Sequence, residues 1–422
     1  MLNRFQKFMD PRTSNVNLSL TRMQDLLKKL GDPHKFLPPT IHIAGTNGKG
    51  STLAFLESIC KKAKLKVHKY TSPHLVKYNE RIIISNQVIK DTELYQLFME
   101  IHKYSIELEL TPFEMLTGIA LLSFARNSAD ILLLETGMGG RLDATNVILD
   151  PLVSIITPIG LDHTEFLGNT ILDIAKEKAG ILKKNGRCVF GVQEDIVLNI
   201  LSSIAQSLNC RTHAYNQNWI FIKTETGFVY KGDEVIKIPY MDMEGDHQLS
   251  NAATAIAALE SCKGYLNITE DKIIQGISST MVPARMEQII NNELCTMLKK
   301  DDELWFDGAH NVMGAKALAN TLNTLPKKHT FIIHSRSKYH DVLNFLLLFQ
   351  DITEHIIAIS LPNKIGIDPH YIQKTAVAIG FKSVVKTNIE SAIQYCIQNT
   401  SCNIRIVICG SLHIATSIYQ RK

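Results

Sequence analysis

Residues 40–51 constrain the fold of this chain more than any other segment. They read TIHIAGTNGKGS, so a short run containing β-branched residues leads directly into a loop with three glycines. Glycine adopts positive φ without strain, and such a loop can close its backbone N–H groups around an anion where the next helix begins. Lys49 adds a mobile positive charge, and Ser51 adds a hydroxyl placed for a metal–phosphate complex. The segment predicts a strand, a phosphate-binding loop and a helix.

The order of residues in this loop differs from that of a standard P-loop. A standard P-loop ends in Gly-Lys followed by Ser or Thr, whereas this loop ends in GKGS. A glycine-rich turn alone is weak evidence for nucleotide binding. The strand before the loop and the amphipathic stretch 52–62 after it favour that interpretation.

Length and composition limit the classes of protein that the chain can represent. At 422 residues it exceeds the ~250–300 at which a single core usually stops growing, so we expect two domains. A net charge of +4 without a basic block argues against nucleic acid as a partner. Eight scattered cysteines without a C-x-x-C pair indicate reduced thiols, and no apolar run approaches the ~20 residues of a membrane span. We therefore expect a cytoplasmic protein that does not bind membranes.

Short β-branched runs alternate with helical patterns, which predicts an α/β fold with a parallel sheet covered by helices. In the first part of the chain the predicted strands are 41–43, 67–70, 131–135, 153–157 and 188–190. Residues 211–240 predict a small antiparallel excursion, and residues 251–260 predict an Ala-rich helix. A second series of predicted strands comprises 303–306, 330–333, 355–359 and 404–409.

The boundary between the two domains is predicted near Pro283, which ends a helical pattern. Residues 1–283 would form a P-loop-type parallel sheet domain flanked by helices. Residues 284–422 would form a smaller, Rossmann-like α/β domain.

Glu135 ends a strand of buried character and precedes the flexible run TGMGG. Ligands of parallel sheets bind at the carboxyl ends of the strands, so Glu135 lies where a metal bound to nucleotide phosphates would need an oxygen ligand. The alternative is a solvated glutamate at a strand end. The two glycines that follow, and then Arg141 to Asn146, favour the functional interpretation.

His163 follows another predicted strand, in the run TPIGLDHT. A neutral imidazole can bind a metal or contact phosphate, and Asp162 could orient the ring. A single histidine is more often structural, but the position beyond a parallel strand favours a functional role.

Lys178 lies in the helical run IAKEKAGI. If Ile174 and Ile181 mark the buried face, Lys178 faces inward and Lys176 does not, because residues three or four apart share a side. A buried ammonium group would be unfavourable beside a metal. A carbamylated lysine would instead supply an anionic oxygen ligand.

Several motifs occur in an order that is typical of one enzyme family. They are GTNGKGS, SPHL at 72–75, Glu80-Arg81, Glu135 with GGRLDATN, LDHT and EKAGI. Together they resemble the folylpolyglutamate synthase and dihydrofolate synthase family, within the ATP-dependent ligases that include the Mur peptidoglycan enzymes. The match runs from 17–20 to 409–411 and covers nearly the whole chain.

The resemblance implies four sets of site residues. Nucleotide would be bound by Gly45, Thr46, Asn47, Gly48, Lys49, Gly50, Ser51 and Asn251, and from across the domain cleft by Arg285 and Asp307. The Mg²⁺ ligands would be Ser72, Glu135, His163 and carbamylated Lys178, and the catalytic residues Lys49, His163 and Lys178. The pteridine-bearing substrate would be bound by Asn17, Leu18, Ser19, Leu20, Thr111, Pro112, Phe113, Glu114, Leu142, Asp143 and Ala144.

The resemblance also implies the reaction. A substrate carboxylate would take the γ-phosphoryl group of ATP to form an acyl phosphate, which the amine of L-glutamate would then attack. The first domain would bind ATP and folate, and the second would be a glutamate ligase domain. The implied partners are small molecules, namely ATP, L-glutamate, dihydropteroate and reduced folates, and the chain would act as a monomer with Mg²⁺.

Two segments depart from the family pattern, and other functions stay open. HSRSKYHD at 334–341 replaces a D-K-D-like motif, and NLSL at 17–20 stands where DLGL is frequent. One alternative is a Mur-type ligase that adds an amino acid to a nucleotide-linked precursor. Two others are a P-loop NTPase that acts as a switch or motor and a nonenzymatic nucleotide-binding scaffold.

Overall fold

The computed structural model describes residues 2–9, 18–337, 341–362 and 366–420. The chain divides into two compact units. The first comprises Met1–Asp242 and Gln248–Thr280, and the second comprises Met243–His247 and Met281–Lys422. The sequence pattern gives no indication that the short segment Met243–His247 groups with the second unit.

The first unit contains strands and helices in alternation. Its strands are β1 (Thr40–Ala44), β2 (Val67–Tyr70), β3 (Ile82–Ile84), β4 (Gln87–Val88), β5 (Ile131–Glu135), β6 (Val153–Ile156), β7 (Arg187–Phe190), β8 (Arg211–Ala214), β9 (Ile220–Lys223), β10 (Phe228–Lys231) and β11 (Val235–Ile238). The helices up to residue 278 are α1 (Leu2–Phe8), α2 (Thr21–Lys29), α3 (Lys49–Lys62), α4 (Asp91–Ser105), α5 (Pro112–Arg126), α6 (Thr164–Leu167), α7 (Ile171–Ala179), α8 (Asp195–Ser207), α9 (Asp246–Ser261) and α10 (Glu270–Ser278).

One mostly parallel sheet forms the centre of the first unit. Among the described residues its strand order is β4-β3-β2-β5-β1-β6-β7-β8. Strand β1 pairs in parallel with β5 and β6, and Ile43 lies opposite Glu135 and Ile155. Every residue of β1, β5 and β6 is buried, because helices cover a parallel sheet on both faces. The predicted parallel α/β fold is confirmed, whereas the antiparallel edge strands β3 and β4 are not predicted by the sequence pattern.

Apolar side chains of the sheet pack against helices in two separate clusters. Leu134 of β5 belongs to a cluster with Leu116 of α5. Ile156 of β6 belongs to another, with Ile174 of α7 and Leu201 of α8. Since these strands are held by packing on their apolar residues, the loops at their carboxyl ends start from fixed positions.

Residues 211–240 only partly follow the prediction. Strands β9 to β11 form the expected small antiparallel sheet, but β8 joins the main sheet in parallel with β7. Glu260 of α9 connects the two sheets. Its Oε2 accepts a hydrogen bond from the hydroxyl of Tyr230 in β10 (2.7 Å) and forms another with Nε2 of His213 in β8 (2.8 Å).

The second unit contains its own sheet, with the order β12-β13-β17-β14-β15-β16 in the described residues. All neighbours are parallel except β12 and β13. The strands are β12 (Glu287–Gln288), β13 (Glu303–Phe306), β14 (His329–His334), β15 (His355–Ile359), β16 (Lys382–Lys386) and β17 (Ile404–Cys409). The helices are α11 (Val312–Thr324), α12 (Val342–Leu347), α13 (Pro369–Ala378), α14 (Ile389–Gln398) and α15 (Ala415–Tyr419).

Strand β16 is absent from the prediction, and the reason is its composition. It reads KSVVK and no residue of it is fully buried, so it lacks the apolar run of the central strands. In the atypical segment 334–341, His334 and Ser335 are buried at the end of β14, and 338–340 lie outside the described residues. None of the described helices combines the length and the apolar character needed to cross a bilayer.

Candidate active site

The glycine-rich loop joins β1 to α3 and requires glycine at two positions. Gly45 has a φ of 151°, and a Cβ there would lie 1.8 Å from Thr157 Oγ1. Gly48 has a φ of 88°, and a Cβ there would lie 2.4 Å from Asn251 Oδ1. Both positions therefore exclude any side chain. The second contact also brings Asn251 of α9, a predicted nucleotide contact, against the loop.

The loop is fixed to the segment that follows β6. The Thr46 hydroxyl donates to the carbonyl of Gly160 (3.0 Å) and accepts from its N–H (3.1 Å). The N–H groups of Thr46 and Asn47 both donate to the Pro158 carbonyl, at 3.0 and 3.3 Å. The side chain of Thr46 thus holds two loops together at the carboxyl edge of the sheet.

Two lysines converge on one carbonyl oxygen of the loop. Lys178 Nζ donates to Gly45 O at 2.8 Å, and Lys49 Nζ donates to the same oxygen at 3.0 Å and to Thr46 O at 3.1 Å. Lys178 is only 4% exposed, while Lys176 is exposed, as the helical spacing predicts. Burial, followed by the positive charge of Lys49, lowers the pKa of Lys178 to about 7. A large fraction of its amine is therefore neutral near neutral pH.

Glu135 and Ser72 meet at the ends of neighbouring strands. Strand β5 pairs with β2, and the N–H of Ser72 donates to Glu135 Oε2 at 3.1 Å. A buried carboxylate beside a hydroxyl gives hard oxygen donors, which fit Mg²⁺. The described residues contain no group of three or more His, Cys, Asp and Glu side chains that could hold a metal ion.

His163 has a left-handed backbone, with a φ of 51°. Its N–H donates to Asp162 Oδ1 at 2.9 Å, whereas its ring Nε2 lies 4.0 Å from that oxygen. The role of Asp162 in orienting the ring of His163 stays a prediction. The His163 side chain is 39% exposed.

The TPFE segment is the start of helix α5. Thr111 Oγ1 accepts from the N–H of Glu114 (3.2 Å), Glu114 Oε2 accepts from the N–H of Thr111 (2.8 Å), and Pro112 occupies the first turn. These contacts form a capping box. Glu114 also pairs with Arg22 at 2.8 Å. Phe113, the remaining predicted substrate contact of this segment, takes no part in the capping box. Its ring lies against the loop after β5, since a Cβ at Gly137 would lie 2.3 Å from it.

Asp143 organises the loop that follows β5. Its Oδ1 accepts from the N–H (3.0 Å) and the hydroxyl (2.6 Å) of Thr145, and its Oδ2 accepts from the N–H of Met138 (2.9 Å). Burial raises the pKa of this carboxyl. The neighbouring Leu142 is half-buried and Ala144 is buried.

The predicted N-terminal substrate contacts lie next to α2. Leu18, Ser19 and Leu20 are half-buried immediately before this helix, and Asn17 lies outside the described residues. The structure gives Ser19 a local role, since its hydroxyl accepts from the N–H of Thr21 at 3.2 Å.

Arg285 and Asp307 lie together in the second unit. Asp307 follows β13, and its carboxylate accepts from the N–H groups of Met286 (2.8 Å) and Ala309 (2.7 Å). Arg285 Nη1 donates to the carbonyl of Ala284, and a Cβ at Gly308 would lie 2.4 Å from that nitrogen. Arg285 therefore packs against the loop that Asp307 stabilises.

Arg81 is a further polar residue at the edge of the first sheet that we did not assign to the site from the sequence. Its Nε donates to His74 Nδ1 at 2.9 Å. The preceding Glu80 accepts from the N–H groups of Leu75, Val76 and Lys77 and so fixes the loop after Ser72. In the sequence, the position of the Glu80-Arg81 pair directly before a β-branched run could have indicated that Arg81 lies near the site.

The fold and this edge define a class of protein. A glycine-rich loop between a buried parallel strand and a helix, with a carboxylate at the end of the adjacent strand, is typical of α/β enzymes that use nucleotide phosphates.

Comparison with known proteins narrows the class. The Mur ligase middle domain matches residues 43–259. The probable dihydrofolate synthetase of Schizosaccharomyces pombe is 31% identical and aligns with 96% of this chain and 98% of its own. The structure of Escherichia coli FolC in complex with DHPP and ADP has a TM-score of 0.87 at 27% identity, covering 99% of this chain and 96% of that one. A bifunctional folylpolyglutamate synthase/dihydrofolate synthase from Yersinia pestis, complexed with AMPPNP and Mn ion, has a TM-score of 0.86 at 27% identity, covering 99% and 96%.

This chain therefore belongs to the Mur ligase family, and within it to the dihydrofolate synthases and folylpolyglutamate synthases. The family that the motifs predict is confirmed, and so is the class of ATP-dependent ligase.

Removal of the Thr46 hydroxyl should loosen the phosphate-binding loop. In Thr46→Val the buried N–H and carbonyl of Gly160 lose their partner, which costs about 1–3 kcal/mol in free energy of unfolding. We expect a lower denaturant midpoint and weaker ADP binding in a titration. Thr46→Ser keeps the hydroxyl and is the matched control. A midpoint for Thr46→Val equal to that of Thr46→Ser would contradict the anchoring role.

Proposed function

We propose that this chain is an ATP-dependent ligase that joins L-glutamate first to dihydropteroate and then to reduced folates. The observation that carries the proposal is the convergence of Lys49 and Lys178 on the Gly45 carbonyl in a loop that excludes side chains. A loop with backbone N–H groups and a lysine is suited to a polyanion such as ATP. The Yersinia pestis relative carries both activities in its name, and the Schizosaccharomyces pombe relative carries the first.

The chemical problem is that a carboxylate is a poor electrophile at neutral pH. In the proposed reaction a substrate carboxylate oxygen attacks the γ-phosphorus of ATP, the bond to the bridging oxygen breaks and ADP leaves. The amine nitrogen of L-glutamate then attacks the acyl carbon. Inorganic phosphate leaves from the tetrahedral intermediate and the amide remains.

Lys49 would exchange hydrogen-bond partners during this reaction. Its ammonium group donates to the neutral carbonyls of Gly45 and Thr46. A hydrogen bond to a phosphate oxygen is roughly twice as strong as one to a neutral acceptor, so Lys49 would turn towards the phosphates when ATP binds. The N-terminus of α3 would supply further N–H donors.

Glu135 and Ser72 would hold the metal ion, with His163 as a further ligand. Magnesium, when bound, would neutralise charge on the phosphates. The hydrogen bond from the N–H of Ser72 to Glu135 Oε2 holds the carboxylate at the end of the neighbouring strand.

Carbamylation of Lys178 would solve an electrostatic problem of the loop. Two ammonium groups share the Gly45 carbonyl, and their repulsion is one cause of the lowered pKa of Lys178. A neutral amine forms a bond to the carbon of CO₂ and releases a proton. The resulting carbamate carries a negative charge, so it attracts Lys49 and the metal instead of repelling them.

The second unit would contribute nucleotide contacts through Arg285 and Asp307. We propose that residues 1–283 bind ATP and the folate substrate, with Asn251 as a nucleotide contact, and that residues 284–422 form the glutamate ligase domain. Phe113, together with the segments at 18–20 and 142–144, would contact the pteridine-bearing substrate. The partners would be small molecules only, and the chain would act as a cytoplasmic monomer.

Both ligase reactions should be detectable with purified protein. We expect ADP release that requires L-glutamate with either dihydropteroate or tetrahydrofolate as the acceptor, in the presence of ATP and Mg²⁺. Turnover with tetrahydrofolate alone would reduce the function to that of a folylpolyglutamate synthase. ADP release without glutamate would instead indicate a P-loop NTPase.

Loss of the Lys178 amine should remove most of the ligase activity, and an added small carboxylic acid should restore part of that activity. Lys178→Ala should lower kcat strongly, and a short carboxylic acid that enters the vacated space should restore part of it. Lys176→Ala, on the exposed side of the same helix, is the matched control and should retain activity. Full activity of Lys178→Ala, or mass spectrometry that detects only the free amine in bicarbonate buffer, would contradict the carbamate.

Arg285→Ala should raise KM for ATP and lower kcat. The side chain is half-buried and makes its hydrogen bond to the adjacent carbonyl of Ala284, so we expect the free energy of unfolding to change by about 0.5 kcal/mol or less. Steady-state kinetics at varied ATP would measure the effect, and denaturant unfolding would provide the control for folding. Unchanged kinetics would remove Arg285 from the nucleotide site.

A further inference from the structure

Arg81 lies at the carboxyl edge of the main sheet, beside the proposed metal ligands. It ends the short turn Tyr78–Arg81 and directly precedes β3. Its carbonyl accepts from the N–H of Thr71 at 3.0 Å, so it is held against the chain that leaves β2 and leads to Ser72. The backbone of Arg81 is thereby fixed one residue away from the Ser72–Glu135 pair.

The guanidinium of Arg81 has unused hydrogen-bonding capacity. Its Nε donates to His74 Nδ1, and within the described residues its side chain makes no other hydrogen bond and no ion pair. Each of its two terminal nitrogens therefore has two N–H groups to offer. Three other arginines of this unit, Arg22, Arg126 and Arg141, pair with carboxylates, as Arg126 does with Glu100 at 2.7 Å.

The charge of Arg81 is maintained by its surroundings although the side chain is half-buried. Burial lowers its pKa, and the nearby carboxylates of Glu135 and Glu80 oppose that shift. An arginine stays protonated in proteins under such conditions. The guanidinium therefore keeps its positive charge near the carboxylates of Glu135 and Glu80, and the Glu80 carboxylate accepts hydrogen bonds from backbone N–H groups.

Aromatic side chains lie near the guanidinium group of Arg81. The guanidinium carbon lies 5.6 Å from the centre of the Tyr78 ring, and the His74 ring lies 4.3 Å from the same ring. Tyr70, whose ring is 6.0 Å from that of Phe113, is also close enough to act on the charge of Arg81. The hydrogen bond from Arg81 Nε to His74 Nδ1 holds the guanidinium beside these rings.

We propose that Arg81 binds the carboxylate of dihydropteroate that the enzyme activates, through its terminal N–H groups. A planar fork matches a carboxylate in a bidentate pair, and the rings suit the aromatic part of the same molecule. This inference rests on the proposed function, because it names the contact that orients the acceptor for attack on ATP. Arg81 would thus contact substrate directly beside Glu135.

The test compares two ligands in three proteins. Isothermal titration would measure the affinity of the wild type, Arg81→Gln and Arg126→Gln for dihydropteroate and for the analogue in which hydrogen replaces its carboxylate. We expect Arg81→Gln to weaken dihydropteroate binding about ten- to hundredfold and to change the affinity for the analogue by about twofold or less. Arg126→Gln removes an exposed arginine of the same unit and should leave both affinities unchanged.

The outcomes separate the contact from a structural role. An equal loss for both ligands, or no loss for either, would overturn the assignment, as would a loss for tetrahydrofolate with unchanged binding of dihydropteroate. If Arg81→Gln does not fold by circular dichroism, Arg81→Lys keeps the charge without the fork and should show a smaller, carboxylate-dependent loss. Wild-type protein that binds neither dihydropteroate nor tetrahydrofolate would instead overturn the proposed function, and the Arg81 contact with it.

Discussion

Parallel pairing of β1 with β5 and β6 is the constraint on which the rest of the first unit depends. It brings the ends of these strands to one edge, where the glycine-rich loop, Glu135 and the segment leading to His163 begin. The strands are buried throughout, so their ends cannot shift without disturbing the packing on both faces. The loop itself adds little freedom, because Gly45 and Gly48 lie directly against Thr157 and Asn251. The candidate site residues are thus positioned by buried strands and a tightly packed loop.

Much of this arrangement could be predicted from the sequence, and the reason is physical. Central parallel strands such as β5 are apolar without interruption, so their limits are marked by the first polar residue, and Glu135 is both the end of the strand and a candidate ligand. The spacing around Lys178 was equally informative, because a helix that buries Ile174 must bury residues on the same side. Edge strands give no such signal, since β16 begins and ends with lysine, has no fully buried residue and lies at the edge of its sheet.

The polar residues of loops were harder to interpret. A polar side chain that contacts a ligand and one that satisfies the backbone have the same composition, and only the structure separates them. Glu114 and Asp143 lie in segments that resemble substrate contacts, yet their carboxylate oxygens accept N–H groups of their own loops. The capping box was readable in TPFE, whereas nothing in the sequence near Asp143 indicated that it would be fully buried. Arg81 shows the converse. Within the described residues its side chain makes one hydrogen bond, to His74, and the proposed substrate contact uses its remaining N–H groups.

Helix α9 has a consequence for how this fold can vary. Its residue Asn251 lies against the glycine-rich loop. About two and a half turns further on, Glu260 bonds with Tyr230 of the small antiparallel sheet and with His213 of the main sheet. The small sheet contributes no residue to the candidate site. It does contact, through Tyr230, the C-terminal end of the helix whose Asn251 lies against the glycine-rich loop. Longer hairpins in the small sheet would leave helix α9 in place, whereas replacement of Glu260 would remove the hydrogen bonds that hold the C-terminal end of this helix. We therefore expect the small sheet to tolerate insertions at its turns better than a change at Glu260, which bonds with residues of both sheets.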